Sequence, residues 1–172
     1  DVSNPAAMSI VKQVQIPEAR LIGSMAIQGN TAIAVGDTLG FYDALSGLTG
    51  NLTITSLDVT DPRNPKVLQT IVTRLSYNLD QTVVPIGNNT FAAGGTTNSG
   101  KPVLLLIDAS NPSQLRFLPY DASVLNRPVL SSGNLFYALG ATGLSIYRLD
   151  TVAVPPLTAA VPLPKSERTA EQ

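Results

Sequence analysis

The sequence predicts an all-β fold made of repeated units of four antiparallel strands. Its apolar, β-prone runs are short, and 13 glycines and 13 prolines separate them along the 172 residues. None of these runs shows the 3.6-residue period of an amphipathic helix. An Asp-x-Ser/Thr-Asp/Asn-Pro element also recurs, beginning at Asp1, Asp58 and Asp108. Four short strands in roughly 40–60 residues are typical of one blade of a β-propeller.

Two kinds of turn set the strand order within a unit. The Asp-Pro element ends one strand and begins the next, because Asp, Asn and Ser with Pro favour turns. A Gly-Asn pair lies 25–29 residues after each of these Asp residues, at 29–30, 87–88 and 133–134. Gly-Asn between apolar runs predicts a tight hairpin. Each unit is therefore predicted to have four strands along the chain: a Gly-Asn hairpin joins the first to the second, a loop joins the second to the third, and an Asp-Pro turn joins the third to the fourth.

The predicted strands follow from these turns. They cover 23–28, 31–35, 52–59 and 66–73 in the first unit, 81–86, 90–93, 103–108 and 115–118 in the second, and 128–131, 135–139 and 144–147 in the third. The third unit lacks a predicted fourth strand, whereas residues 9–16 are predicted to be a fourth strand that follows no other strands of a unit. The prediction is that a segment within 1–18 closes the third unit, since pairing would remove an exposed edge.

The residues of the Asp-Pro element resemble a known family. The stretches 104–112 (LLLIDASNP) and 57–65 (LDVTDPRNP) resemble the LVIVD repeat of bacterial and archaeal β-propellers. Residues 143–147 are similar, but Arg148 stands where the repeat has Asp. The resemblance covers about residues 1–150 and implies an exported or cell-surface binding scaffold, with no catalytic residue to carry over. The alternative fold is a β-sandwich.

This resemblance divides the chain into blades 19–73, 74–123 and 124–150. Residues 151–172 are Pro-rich and then polar, which is typical of a linker or of an arm that docks on a neighbour. Three blades are fewer than the roughly 4–8 of closed propellers. The chain is therefore expected to be part of a larger propeller or half of a six-bladed ring, and to bind a protein partner or a second copy of itself.

Composition excludes several classes of function. Twelve acidic and 11 basic residues give a net charge of −1, which argues against nucleic-acid binding. The chain has no Cys, His or Trp, so thiolate and imidazole metal sites and Ser-His-Asp or Cys-His catalysis are excluded. No apolar run is long enough to predict a membrane span. We expect a non-enzymatic protein without cofactor or metal, in an extracellular, cell-surface or periplasmic location.

The loop between the second and third strands varies most in length. From the Gly-Asn pair to the strand-end residue, the interval is 28 residues in the first unit, 20 in the second and 14 in the third. Loops that vary on a rigid scaffold often carry binding. The candidate binding residues in these loops are Asp37, Phe41, Tyr42, Asp43 and Asn98. The alternative for Phe41 and Tyr42 is that they pin an extra hairpin to the body.

One glycine-rich loop suggests phosphate binding and a pair of carboxylates suggests calcium binding, but other features of the sequence argue against both. Residues 95–101 match the start of a phosphate-binding loop, but Pro102 replaces the Ser or Thr that would hold magnesium, and a strand follows. Asp58 and Asp61 could bind calcium, but a structural role in the turn is favoured for them and for Asp108 and Asn111. The predicted function is a non-catalytic interaction or structural module, and the alternative is a glycan-binding or glycan-cleaving propeller.

Overall fold

Eleven β-strands make up the described part of the chain, and no helix occurs there. The computed structural model describes residues 9–39, 50–76, 82–96, 102–118, 127–132, 135–140 and 143–148. The strands are β1 (Leu21–Gln28), β2 (Thr31–Asp37), β3 (Asn51–Asp58), β4 (Lys66–Ser76), β5 (Val83–Gly87), β6 (Thr90–Thr96), β7 (Pro102–Asp108), β8 (Arg116–Leu118), β9 (Arg127–Ser132), β10 (Leu135–Gly140) and β11 (Gly143–Arg148). The all-β prediction is confirmed for these residues.

The strands form three antiparallel meanders. Meander 1 is β1–β4, meander 2 is β5–β8 and meander 3 is β9–β11. A single bridge between Ser76 and Thr96 joins meanders 1 and 2 into one eight-stranded sheet. Meander 3 is a separate three-stranded sheet.

The second and third strands of each meander share one register. The first residue of the second strand lies opposite the last residue of the third in every case, as Thr31 opposite Asp58, Thr90 opposite Asp108 and Leu135 opposite Arg148. Arg148 therefore occupies the position that Asp58 and Asp108 occupy in the other two meanders. The sequence repeat is thus a repeat of backbone geometry.

Two-residue hairpins connect the first and second strands of meanders 1 and 2. Asn88 and Asn89 both have positive φ, 49° and 55°, which is the backbone of a type I′ turn. Gly29 has a φ of 58° at the first position of the equivalent turn in meander 1. In the second unit the turn begins one residue later than the Gly-Asn pair predicts, because Gly87 (φ 98°) precedes the turn rather than forming its first position.

The three meanders stack in series, with meander 2 in the middle. Meanders 1 and 2 enclose a core that contains Ile33, Ile54 and Phe91. Meanders 2 and 3 enclose a second core that contains Ala92 and Phe136. Successive side chains of a strand point to opposite faces, so Phe91 and Ala92 of β6 enter different cores. Both faces of meander 2 are consequently covered.

Residues 9–16 form no strand, in contrast to the expectation that this segment closes the third unit. Val14 and Ile16 instead pack against Ala32, Ala34 and Leu57 on the outer face of meander 1. That face lies on the opposite side of meander 1 from meanders 2 and 3. Apolar contacts therefore place Val14 and Ile16 on meander 1.

Candidate interaction surfaces

The long β2–β3 loop begins at a buried carboxylate. Asp37 is 1% exposed, its Oδ1 accepts the N–H of Leu39 at 2.8 Å, and its carbonyl accepts the N–H of Arg20 at 2.9 Å. Gly50 lies so close that a Cβ there would overlap Asp37 Oδ1. Because its carboxylate caps the backbone, Asp37 has a structural role at the base of the loop, whereas the sequence predicts it only as a binding residue.

A second set of bonds closes the base of the same loop. The hydroxyl of Thr38 accepts the N–H of Asn51 at 2.9 Å, and the N–H of Thr38 donates to the carbonyl of Asn51 at 3.1 Å. The two ends of the loop are thereby fixed to each other. The loop is 13 residues long, against five between β6 and β7 and two between β10 and β11.

The other candidate binding residues, Phe41, Tyr42, Asp43 and Asn98, lie outside the described residues. The candidate binding site in these loops stays a prediction.

The Asp-Pro element has a well-defined turn geometry in meander 1. Asp58 Oδ1 accepts the N–H of Thr60 at 2.9 Å, and Asp61 Oδ1 accepts the N–H of Arg63 at 2.9 Å. Hydrogen bonds from the hydroxyl and the N–H of Thr60 hold the pKa of the Asp58 carboxyl below its ordinary value against an opposing effect of desolvation, and the charge of Lys66 adds a weaker lowering. Asp58 is thus favoured in its charged form.

The same geometry recurs in meander 2. Asp108 Oδ1 accepts the N–H of Ser110 at 2.9 Å, and Asn111 Oδ1 accepts the N–H of Ser113 at 3.2 Å. Asn can replace Asp in the second position because each supplies one acceptor oxygen at the same place. In both copies these side-chain oxygens are used by the turn itself.

The Asp-Pro turn of meander 2 also docks on meander 1. Gln69 of β4 accepts the N–H of Leu115 through Oε1 at 2.6 Å, and the Ser56 hydroxyl of β3 donates to the carbonyl of Pro112. At the other side of the sheet, the N–H of Val83 donates to the Ser24 hydroxyl at 3.2 Å. The sequence does not predict this docking of meander 2 on meander 1; its one signal is Ser56, a polar residue within the buried run of β3.

The outer face of meander 3 is apolar and exposed. Leu139 lies opposite Leu144, and Tyr137 lies opposite Ile146. Leu139, Leu144 and Ile146 are among the most exposed large apolar side chains, and Ile146 is 59% exposed. The opposite face of this sheet is covered. The rings of Phe136 and Tyr147 stack on each other with their centroids 4.6 Å apart, and both side chains pack against meander 2. We call the exposed side the meander 3 outer face.

The outer face of meander 1 is covered only in part. Met25, Ile27 and Val72 point away from meander 2, as their alternation with the buried Ala26 and the inward Ile71 requires. All three are exposed. Exposed apolar side chains therefore occur at both ends of the stack.

Within the described ranges, no three Asp or Glu side chains come together as a metal site would require. Nor does that part of the chain contain a helix of the length and apolarity needed to cross a bilayer. Comparison with protein-family models and with curated proteins finds no match to this sequence.

Proposed function

We propose that this chain is a non-catalytic protein-interaction module, built on part of a β-propeller in which meanders 1, 2 and 3 are successive blades. The repeated register supports this assignment, as does the repeated Asp-Pro turn. The first strands of successive meanders also approach closely: Cα atoms of β1 lie within 8 Å of β5, and those of β5 within 8 Å of β9. Propeller blades stand around a central channel, so neighbouring blades are closest at the channel.

A β-sandwich accounts less well for the packing. Two packed sheets bury one face each, whereas meander 2 has a core on both faces. The series of three meanders can be extended at either end by a further sheet of the same kind.

The exposed outer face of meander 3 and the partly covered outer face of meander 1 carry the functional proposal. Contiguous exposed apolar patches in soluble proteins mark interaction sites. In a propeller, each of these faces is the surface that the next blade covers. The partner is therefore a protein that brings such a sheet, either another chain or a second copy.

The LVIVD resemblance favours an extracellular, cell-surface or periplasmic location. The glycan-binding alternative depends on Phe41, Tyr42 and Asn98, and nothing in the described residues favours it.

Light scattering of the full chain tests the proposal. At micromolar concentration the protein is expected to exceed the 18.0 kDa mass of one chain, and the double variant Leu144→Lys/Ile146→Lys is expected to shift toward the monomer. The matched control, Asn64→Lys/Gln114→Lys, adds the same charge at exposed turn positions and should leave the mass unchanged. A wild-type monomer that binds no hydrophobic dye would refute the proposal.

A further inference from the structure

The three meanders stack with one polarity. In the second strand of each meander, the second residue faces the preceding meander and the third residue faces the following one. Phe91 of β6 accordingly lies in the core with meander 1, and Ala92 lies in the core with meander 3. Ile33 of β2 and Phe136 of β10 both lie in cores with meander 2. Each meander thus has a rear face, toward the preceding sheet, and a forward face, toward the following one.

The meander 3 outer face is a forward face that no following sheet covers in the described part of the chain. Ile54, Leu104 and Leu144 each lie four residues before the end of the third strand of their meander. Ile54 is 0% exposed and Leu104 is 3% exposed, because the following meander packs on them. Leu144 is 57% exposed. The meander 3 outer face therefore lacks the rear face that covers the equivalent positions in meanders 1 and 2.

The outer face of meander 1 is a rear face without a preceding sheet. Met25 and Val83 hold equivalent positions, since each lies opposite the fourth residue of the second strand. Val83 is 4% exposed in the core between meanders 1 and 2, whereas Met25 is 56% exposed. Val14 and Ile16 cover the two middle strands of this face and leave its outer strands exposed. None of the exposed large apolar side chains in the described ranges belongs to meander 2.

We propose that the meander 3 outer face packs on the outer face of meander 1 in a second copy, and that the reciprocal contact closes a ring of six meanders. This inference rests on the proposed function and names its partner and assembly. A forward face meets a rear face in both sheet contacts within the chain, so the contact between copies repeats an arrangement that the chain already uses. Such a head-to-tail contact forms a ring when its rotation closes. Closed propellers have about 4–8 sheets, and six is the one multiple of three in that range.

Two contacts are also what a stable dimer needs. The strands of meander 3 are six residues long, so its face measures about 14 Å by about 20 Å, or about 300 Å². One contact buries about 600 Å² over both copies, which is about half of the area at which specific interfaces begin, about 1,200 Å². The two contacts of a closed ring reach about that value. A contact between two meander 3 outer faces would be smaller and would leave the meander 1 end exposed.

The contact between meanders 1 and 2 supplies a register for the new contact. The Ser56 hydroxyl of meander 1 donates to the carbonyl of Pro112 in the Asp-Pro turn of meander 2. In the repeat, Ile146 stands at the position of Ser56, and Pro62 stands at the position of Pro112. Ile146 of one copy is therefore expected beside Pro62 of the other.

Cysteine cross-linking tests this register, and the native chain contains no Cys that would interfere. Ile146→Cys and Pro62→Cys are prepared as separate full-length variants, mixed and treated with a short bifunctional maleimide. We expect a covalent dimer of about twice the 18.0 kDa chain mass on a denaturing gel. In the control, Ser113→Cys replaces Pro62→Cys. Ser113 is exposed in the equivalent turn of meander 2, one sheet farther from the interface, and should cross-link far less.

Light scattering tests whether both ends of the stack take part. The wild type should have the mass of two chains, and Met25→Lys/Ile27→Lys should lower it to one chain, as Leu144→Lys/Ile146→Lys does at the other end. Asn64→Lys/Gln114→Lys is again the control, because Gln114 is exposed even beside the contact between meanders 1 and 2, and Asn64 is its equivalent. Circular dichroism checks that each variant keeps its strands. If a lysine variant does not fold, the cross-link still decides, since it uses single exposed positions.

The possible failures have different meanings. If the Ile146/Pro62 mixture cross-links no better than the control, or if Met25→Lys/Ile27→Lys keeps the wild-type mass, the inference is wrong and the proposed function stands. A mass that keeps rising with concentration would show an open chain and overturn the ring. A wild-type monomer that binds a hydrophobic dye would overturn the inference and leave the proposed function with a different protein as partner. A monomer that binds no dye would overturn both proposals.

Discussion

The hydrogen bond between Gln69 and Leu115 should contribute measurably to the contact between meanders 1 and 2. Gln69 Oε1 accepts the Leu115 N–H at 2.6 Å, and Leu115 is 7% exposed. Gln69→Ala removes the acceptor and leaves a buried N–H without a partner. The cost of such a group is about 1–3 kcal/mol. For a chain of this size, each kcal/mol lowers the melting temperature by about 2–4 °C.

Urea unfolding followed by circular dichroism measures this effect. Gln69→Ala should lower the free energy of unfolding by about 1–3 kcal/mol, whereas Gln69→Glu, which retains an acceptor oxygen, should lose less. Gln114→Ala is the matched control, since that side chain is exposed. The reasoning fails if Gln69→Ala has the wild-type urea midpoint and slope, because the docked turn would then not depend on this bond.

Two more predictions concern the loop base and the repeat turn. Gly50→Ala places a Cβ against Asp37 Oδ1 and should destabilise the protein by about 1–3 kcal/mol, as overpacking does. Thermal melting measures this effect, with Asn51→Ala as the control because the Asn51 side chain is exposed. Equal melting temperatures for the two variants would contradict the prediction. Asp58 has a lowered pKa in the folded state, so its contribution to stability is present above about pH 3.9 and is lost as the pH falls below that value. Asp58→Asn should therefore lose less stability than the wild type between pH 7 and pH 3 in urea titrations, and identical losses would show that this carboxylate does not contribute.

The sequence alone determined the all-β class and the approximate place of each strand. The signals for these are local: an Asn-rich hairpin between β5 and β6, or the Asp-Pro turn after β7, depends on residues a few positions apart. Unit boundaries follow from the same turns.

Tertiary structure decided how the meanders meet and where residues 14 and 16 of the N-terminal segment pack. The Ser56–Pro112 and Gln69–Leu115 bonds join residues 56 and 46 positions apart, and no local pattern encodes such pairs. The N-terminal segment shows the same limit. Its sequence has the position of a fourth strand, but residues 9–16 form no strand, and Val14 and Ile16 instead pack, partly buried, on the apolar outer face of meander 1. A strand forms only where an edge can hydrogen-bond to it, and the location of that edge is a property of the assembled sheets.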